Sequence, residues 1–142
     1  MTYLADVNFV IALLHERHSA SGRAAAWLED QHEPRSVLLC RVAQMGALRI
    51  LTNPAWLKED VLPAHAVWDA WDLLLTDERF ARANEPPGLE REWRLVTEGF
   101  PAGRCAETDT YLAAFARSGG HRLLTFDRDF RRFEDLDVLI LE

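Results

Sequence analysis

Basic charge is what this chain lacks most. Its Lys and Arg total 16 against 23 Asp and Glu, for a net charge of −7. That balance argues against binding nucleic acid through a broad basic surface. It leaves room for an enzyme that cuts nucleic acid, because such a site clusters carboxylates around cations and those acids enter the same sum. Cysteine is scarce as well: Cys40 and Cys105 form no C-x-x-C pair, and so few cysteines do not read as a disulfide scaffold. No apolar stretch approaches the roughly 20 residues that span a bilayer. The N-terminus has no basic region, and Asp6 interrupts its short apolar run, so the chain reads as cytoplasmic, with no secretory signal and no membrane association. Repeats, low-complexity tracts and a central linker are all missing. What remains is a 142-residue chain, 49% hydrophobic, of the size of one domain spanning residues 1–142.

Hydrophobic patterning divides the chain into alternating elements. Residues 2–7, 35–40, 121–127 and 136–142 read as strands, with a short one in "ERFARA". Helices are expected in "NFVIALLHE" with Asn8 as N-cap, in 19–31, in 42–53 up to Pro54, from Pro63 to 75, in 88–99 up to Gly99, and in 107–120 up to Gly119–Gly120. "NPAWLKED" reads as a loop. Alternation of this kind implies a three-layer α/β/α sandwich with a mainly parallel central sheet. Ligands of such sheets bind outside the carboxyl ends of the strands.

Three acids are expected at that edge. Asp6 and Asp127 each close an apolar strand, and Asp109 lies in the first turn of the helix preceding the strand that carries Asp127. Asp129 and Glu107 are close neighbours in sequence. Clustered carboxylates repel one another and persist when they hold a cation or when some stay protonated. An oxygen-only set favours Mg²⁺ or Mn²⁺ over zinc, which suits metal-assisted phosphodiester hydrolysis. Each Asp taken singly also fits a helix cap or a turn.

The order of motifs adds a resemblance. "LADVNFVIALL", "CRVAQMGALRILTNP", "TDTYLAAFAR" and "LLTFDRDF" resemble, in family order, the four motifs of PIN-domain nucleases, in particular ribonuclease toxins of the VapC type. The resemblance implies a Mg²⁺- or Mn²⁺-dependent endoribonuclease that cleaves RNA, is blocked by a small cognate antitoxin protein, and forms a homodimer. It carries catalytic and metal-binding roles onto Asp6, Asp109 and Asp127, and supporting roles beside them onto Asn8 and Thr125. Where many relatives have Glu, this chain has Gln44, which keeps an oxygen but loses the charge. Glu107 and Asp129 are then candidates to supply what is missing. Arg49 is expected near the site, touching substrate or antitoxin.

Two other readings stand beside this one. Gln44 keeps open a PIN-like module that binds RNA or protein with weak or lost cleavage. A Mg²⁺ phosphohydrolase of the haloacid dehalogenase type ranks last, because the second Asp it needs is replaced by Asn8. His15 and His18 are too close together for H-E-x-x-H and read as a surface helix end. Trp27, Trp68, Trp71 and Trp93 fall in helical patterns and read as core or interface, leaving Trp56 as the aromatic available to RNA. Arg128, Arg131 and Arg132 read as a solvated surface or as phosphate contacts.

Overall fold

Each apolar run read as a strand pairs in parallel with its neighbours in the computed structural model, which describes residues Met1–Glu142. The strands are β1 (Tyr3–Ala5), β2 (Val37–Leu39), β3 (Phe80–Arg82), β4 (Arg122–Thr125) and β5 (Val138–Ile140). Their order is β3-β2-β1-β4-β5, so the first strand made is the middle strand of the sheet. β1 pairs Tyr3 with Val37 on one side and with Arg122 on the other. Parallel strands bury both faces, which explains continuous apolar runs rather than alternation.

Seven helices flank the sheet: α1 (Val7–Leu14), α2 (Ser21–Glu29), α3 (Arg41–Leu51), α4 (Pro54–Leu57), α5 (Ala64–Leu75), α6 (Leu89–Thr97) and α7 (Glu107–Gly119). α1 packs with α2, α3 and α5, while α6 and α7 pack on each other. The result is the three-layer α/β/α arrangement expected from the sequence. The core includes the fully buried Leu4, Phe9, Leu112, Phe115, Leu123 and Leu124. No helix is long and apolar enough to cross a membrane.

Several local expectations are corrected. β1 stops at Ala5, so Asp6 rather than Asn8 caps α1, and Asn8 sits inside its first turn. "NPAWLKED" is not a loop: Asn53 caps the short helix α4 by accepting from Ala55 N, Pro54 fixes its first turn, and a 3₁₀ turn follows. His15 is buried instead of exposed, because its Nε2 bonds the Asp60 carbonyl at 2.8 Å and ties the end of α1 to that turn. β4 and β5 are joined by residues 126–137 with only a 3₁₀ turn (Arg128–Arg132) and no α-helix, unlike most parallel crossovers.

α1 and α3 meet directly at Gly46. A Cβ there would lie 2.9 Å from both methyls of Val7. Val is stiff about χ1, so the backbones rather than the side chain must give. Gly46→Ala is expected to destabilise the fold by about 1–3 kcal/mol. A lower melting temperature would show it, and an unchanged one would mean that the two helices separate freely.

Candidate active site

Asp6 leaves the β1 ladder but stays tied to the sheet, its backbone N–H donating to the Leu124 carbonyl at 2.9 Å. One carboxylate oxygen accepts from Val7 N at 2.6 Å and closes the first turn of α1. The other accepts from the Thr125 hydroxyl at 2.6 Å. The residue is only 6% exposed. Burial pushes its carboxyl up from 3.8 to about 6, against the two hydrogen bonds, and the charges of Asp109 and Asp127 push the same way as burial. A buried carboxylate facing two more acids with no cation of its own is costly.

Thr125, fully buried at the end of β4, joins the parts. Its single proton goes to Asp6, and its oxygen accepts from Asp127 N at 3.0 Å and from Asn8 Nδ2 at 3.3 Å. Asn8 Oδ1 accepts from Phe126 N at 3.2 Å. The first turn of α1 is thereby laced to the end of β4, and the strand ends that carry Asp6 and Asp127 are held in register.

Asp127 caps the 3₁₀ turn, accepting from Asp129 N at 2.8 Å, while the Asp129 side chain is exposed. Asp109, in the first turn of α7, accepts from Arg132 Nη2 at 3.2 Å. Burial raises its carboxyl above the ordinary value; Arg132 opposes this, and Asp127 and Asp129 reinforce it. Glu107, the first residue of α7, is exposed. No three Asp, Glu, His or Cys side chains converge into a closed cage, since Asp109 turns to Arg132 and Asp127 to its own turn. The donor set nevertheless suits a hard divalent cation. It is all oxygen, the acids repel one another, and the buried member carries the largest desolvation cost.

The second-motif residues lie to one side. Gln44 is half-buried on α3, and its Oε1 accepts from Arg41 Nη1 at 2.5 Å. It lines a cavity of about 200 Å³ at the carboxyl ends of β2 and β3. Arg49 is exposed in the last turn of α3. The arginines after Asp127 divide: Arg132 pairs with Asp109, whereas Arg128 and Arg131 reach Glu142 at 3.4 and 3.8 Å.

The sequence reads Arg132 as a solvated surface charge or a phosphate contact, and shows neither its pairing with Asp109 nor the cavity. A basic residue five positions after an acid was the only available signal for the first. For the second there was none, because its walls come from five separate elements, β2, α3, α5, β3 and α7.

Known proteins share this architecture. The PIN domain family model matches residues 3–136. Ribonuclease VapC41 of Mycobacterium tuberculosis is 33% identical over 142 residues, covering 97% of each chain. Among solved structures, VapBC2 from Rickettsia felis bound to a DNA fragment from their promoter superposes with a TM-score of 0.68 at 12% identity, covering 100% of each chain. VapC20 of M. tuberculosis, described as a sarcin-ricin loop cleaving toxin, gives 0.66 at 17% identity, covering 92% of this chain and 93% of that one. At such identities the structural likeness speaks for the fold.

Proposed function

The chain belongs to the PIN-domain family, and on that footing we propose that it is a Mg²⁺-dependent endoribonuclease of the VapC type, acting in the cytoplasm as the toxin of a toxin–antitoxin pair. The observation that carries this reading is Asp6, buried and hydrogen-bonded to Thr125 while facing the charges of Asp109 and Asp127. Asp6, Asp109 and Asp127 would hold the ion, with Mn²⁺ an alternative. A bound divalent cation supplies a water nucleophile at neutral pH and neutralises charge developing on the phosphate. The reaction adds water to phosphorus and breaks one P–O bond, and the leaving alcohol takes a proton.

The chain's own residues prepare that site. Thr125 and Val7 fix both oxygens of Asp6 in one orientation, and Asn8 prevents the end of β4 from drifting from α1. Arg132 holds Asp109 until another cation competes for it. Asp129 and Glu107 are exposed beside the acids and add negative potential that attracts cations. Arg49 lies on the exposed side of α3, where we place contact with RNA or antitoxin. The likeness to VapBC2 supports a small antitoxin partner. A homodimer would use the exposed part of α5, where Trp68 and Leu73 face solvent.

One observation favours a second reading, a binding module with weak or lost cleavage. Gln44 brings no charge to the acids, and its oxygen is taken by Arg41. The haloacid dehalogenase reading falls with the family assignment, and Asn8 in the place of its second acid bonds the backbone instead.

Metal add-back decides between cleavage and binding. After EDTA treatment, RNA cleavage is expected to stop and to return with Mg²⁺ or Mn²⁺, but poorly with Zn²⁺, which prefers nitrogen and sulfur ligands. Full cleavage in EDTA would refute the ribonuclease mechanism, and no cleavage with any ion would favour the binding module.

A further inference from the structure

The cavity of about 200 Å³ opens at the same sheet edge as the acids but is not part of their cluster. It begins where β2 ends. Cys40, on its floor, feels the Asp6 charge, and Tyr111 stands two residues beyond Asp109 on α7. The buried floor is apolar and aromatic, made by Cys40, Trp71 and Tyr111, and the exposed rim is charged, with Arg41 and Arg82 against Glu85. Trp71 Nε1 is buried and has no hydrogen-bond partner, an exception among buried donors. Glu85 Oε1 accepts from the Tyr111 hydroxyl at 3.0 Å, which fixes the carboxylate and leaves its second oxygen and one lone pair of Oε1 available.

A space this size is smaller than the roughly 300–1,000 Å³ of drug-sized pockets and suits a single flat ring system. Single-stranded RNA is read by unstacked bases that lie against aromatic side chains and are hydrogen-bonded along their edges. Guanine presents two adjacent donors, N1–H and the 2-amino group, which match an oriented carboxylate. Its O6 and N7 accept from guanidinium donors. Uracil would set a carbonyl on either side of its N3–H and meet Glu85 with repulsion. Cytosine places a ring acceptor beside its amino group, and adenine does the same. Resting on the ribonuclease reading, we propose that this cavity is a guanine subsite, binding the base of a nucleotide next to the phosphodiester held at the acids. Glu85 reads the donor edge and Arg41 or Arg82 the acceptor edge. The subsite thus makes the enzyme selective for RNA with guanine beside the cut.

The test follows the Trp71 indole N–H by NMR in EDTA, with the signal assigned through Trp71→Phe. Guanosine, adenosine, cytidine and uridine 5′-monophosphates are titrated into the full chain. The guanosine nucleotide is expected to shift the Trp71 signal at the lowest concentration. Glu85→Gln, an exposed change that keeps an oxygen for Tyr111, is expected to weaken that binding about tenfold or more and to remove the preference. RNA cleavage by the same preparations is mapped with Mg²⁺, and cuts next to guanine are expected to lose their dominance in Glu85→Gln. If no nucleotide moves the signal, or another base binds as tightly as guanine, the subsite assignment is overturned, even where RNA is still cut. Guanine-selective binding by a chain that cuts no RNA with any ion would uphold the subsite as a recognition pocket and overturn the ribonuclease reading instead.

Discussion

Asp6→Asn is expected to lose RNA cleavage by roughly a hundredfold or more, and at pH 7 in EDTA to melt at a higher temperature than the wild type. The two effects have one origin. The Asp6 carboxyl stands at about 6 in the fold against an ordinary 3.8. The folded chain therefore binds this proton more tightly than the unfolded chain does. The stability so contributed is complete below pH 4 and is lost as pH rises through 6. At pH 7 the metal-free fold carries a cost of up to about 3 kcal/mol, the free energy that separates a carboxyl at about 6 from one at 3.8. Asn cannot ionise, remains a good cap for α1 and can still bond Thr125. Its melting temperature in EDTA should fall less between pH 4 and 7 than that of the wild type, the raised Asp109 carboxyl still contributing to both. Mg²⁺ should stabilise the wild type, by binding the folded state alone, and have little effect on the variant. Unchanged cleavage in Asp6→Asn would remove Asp6 from the site, and identical pH–melting curves would mean that its charge is not buried.

Thr125→Val should be the most damaging change that leaves every acid in place. The shapes are nearly the same, but the hydroxyl that donates to Asp6 and accepts from Asp127 N is gone. An unpaired buried partner costs about 1–3 kcal/mol, and loss of support behind a metal ligand typically costs about 10–100-fold in affinity or rate. Without that hydrogen bond the Asp6 carboxyl rises further, so the acid limb of the pH–rate profile should move to higher pH. Thr125→Ser restores the hydroxyl and should recover most of the rate and the original limb. A Val variant with wild-type rate and an unmoved limb would show that Thr125 only fills space.

The fold was legible because parallel strands and their covering helices leave contrasting patterns. "RSVLLC" and "HRLLTFD" are too continuously apolar for a half-exposed strand, and the Ala- and Leu-spaced runs between them are too long for loops. What sequence placed less well were the ends. The cap of α1 was displaced by two residues, because the apolar run resumes at Val7 without a break signal whereas the ladder stops at Ala5. His15 looked like a surface residue because its partner, the carbonyl of Asp60, lies 45 positions away. Of the proposed site, Asp6, Asp109 and Asp127 could be named individually from their positions at strand and helix ends. The bond from Thr125 to Asp6 spans 119 positions, and the Arg132 pairing depends on a 3₁₀ turn that leaves no periodic signal. The cavity beside them is further from view, being assembled from β2, α3, α5, β3 and α7.

The central position of β1 also bears on how the protein is made. The ribosome produces β1 first, yet its β4 neighbour comes almost last, and between them lie all seven helices. Helices and the β1–β2 pair can form on the growing chain, but Asp6 gains Thr125, Asp127 and the Leu124 carbonyl only after residue 127 has emerged. Any product of interrupted translation that ends before β4 carries the first acid without its partners. On the ribonuclease reading, such a product would lack the assembled acids, so no cleaving site exists before β4 has joined β1.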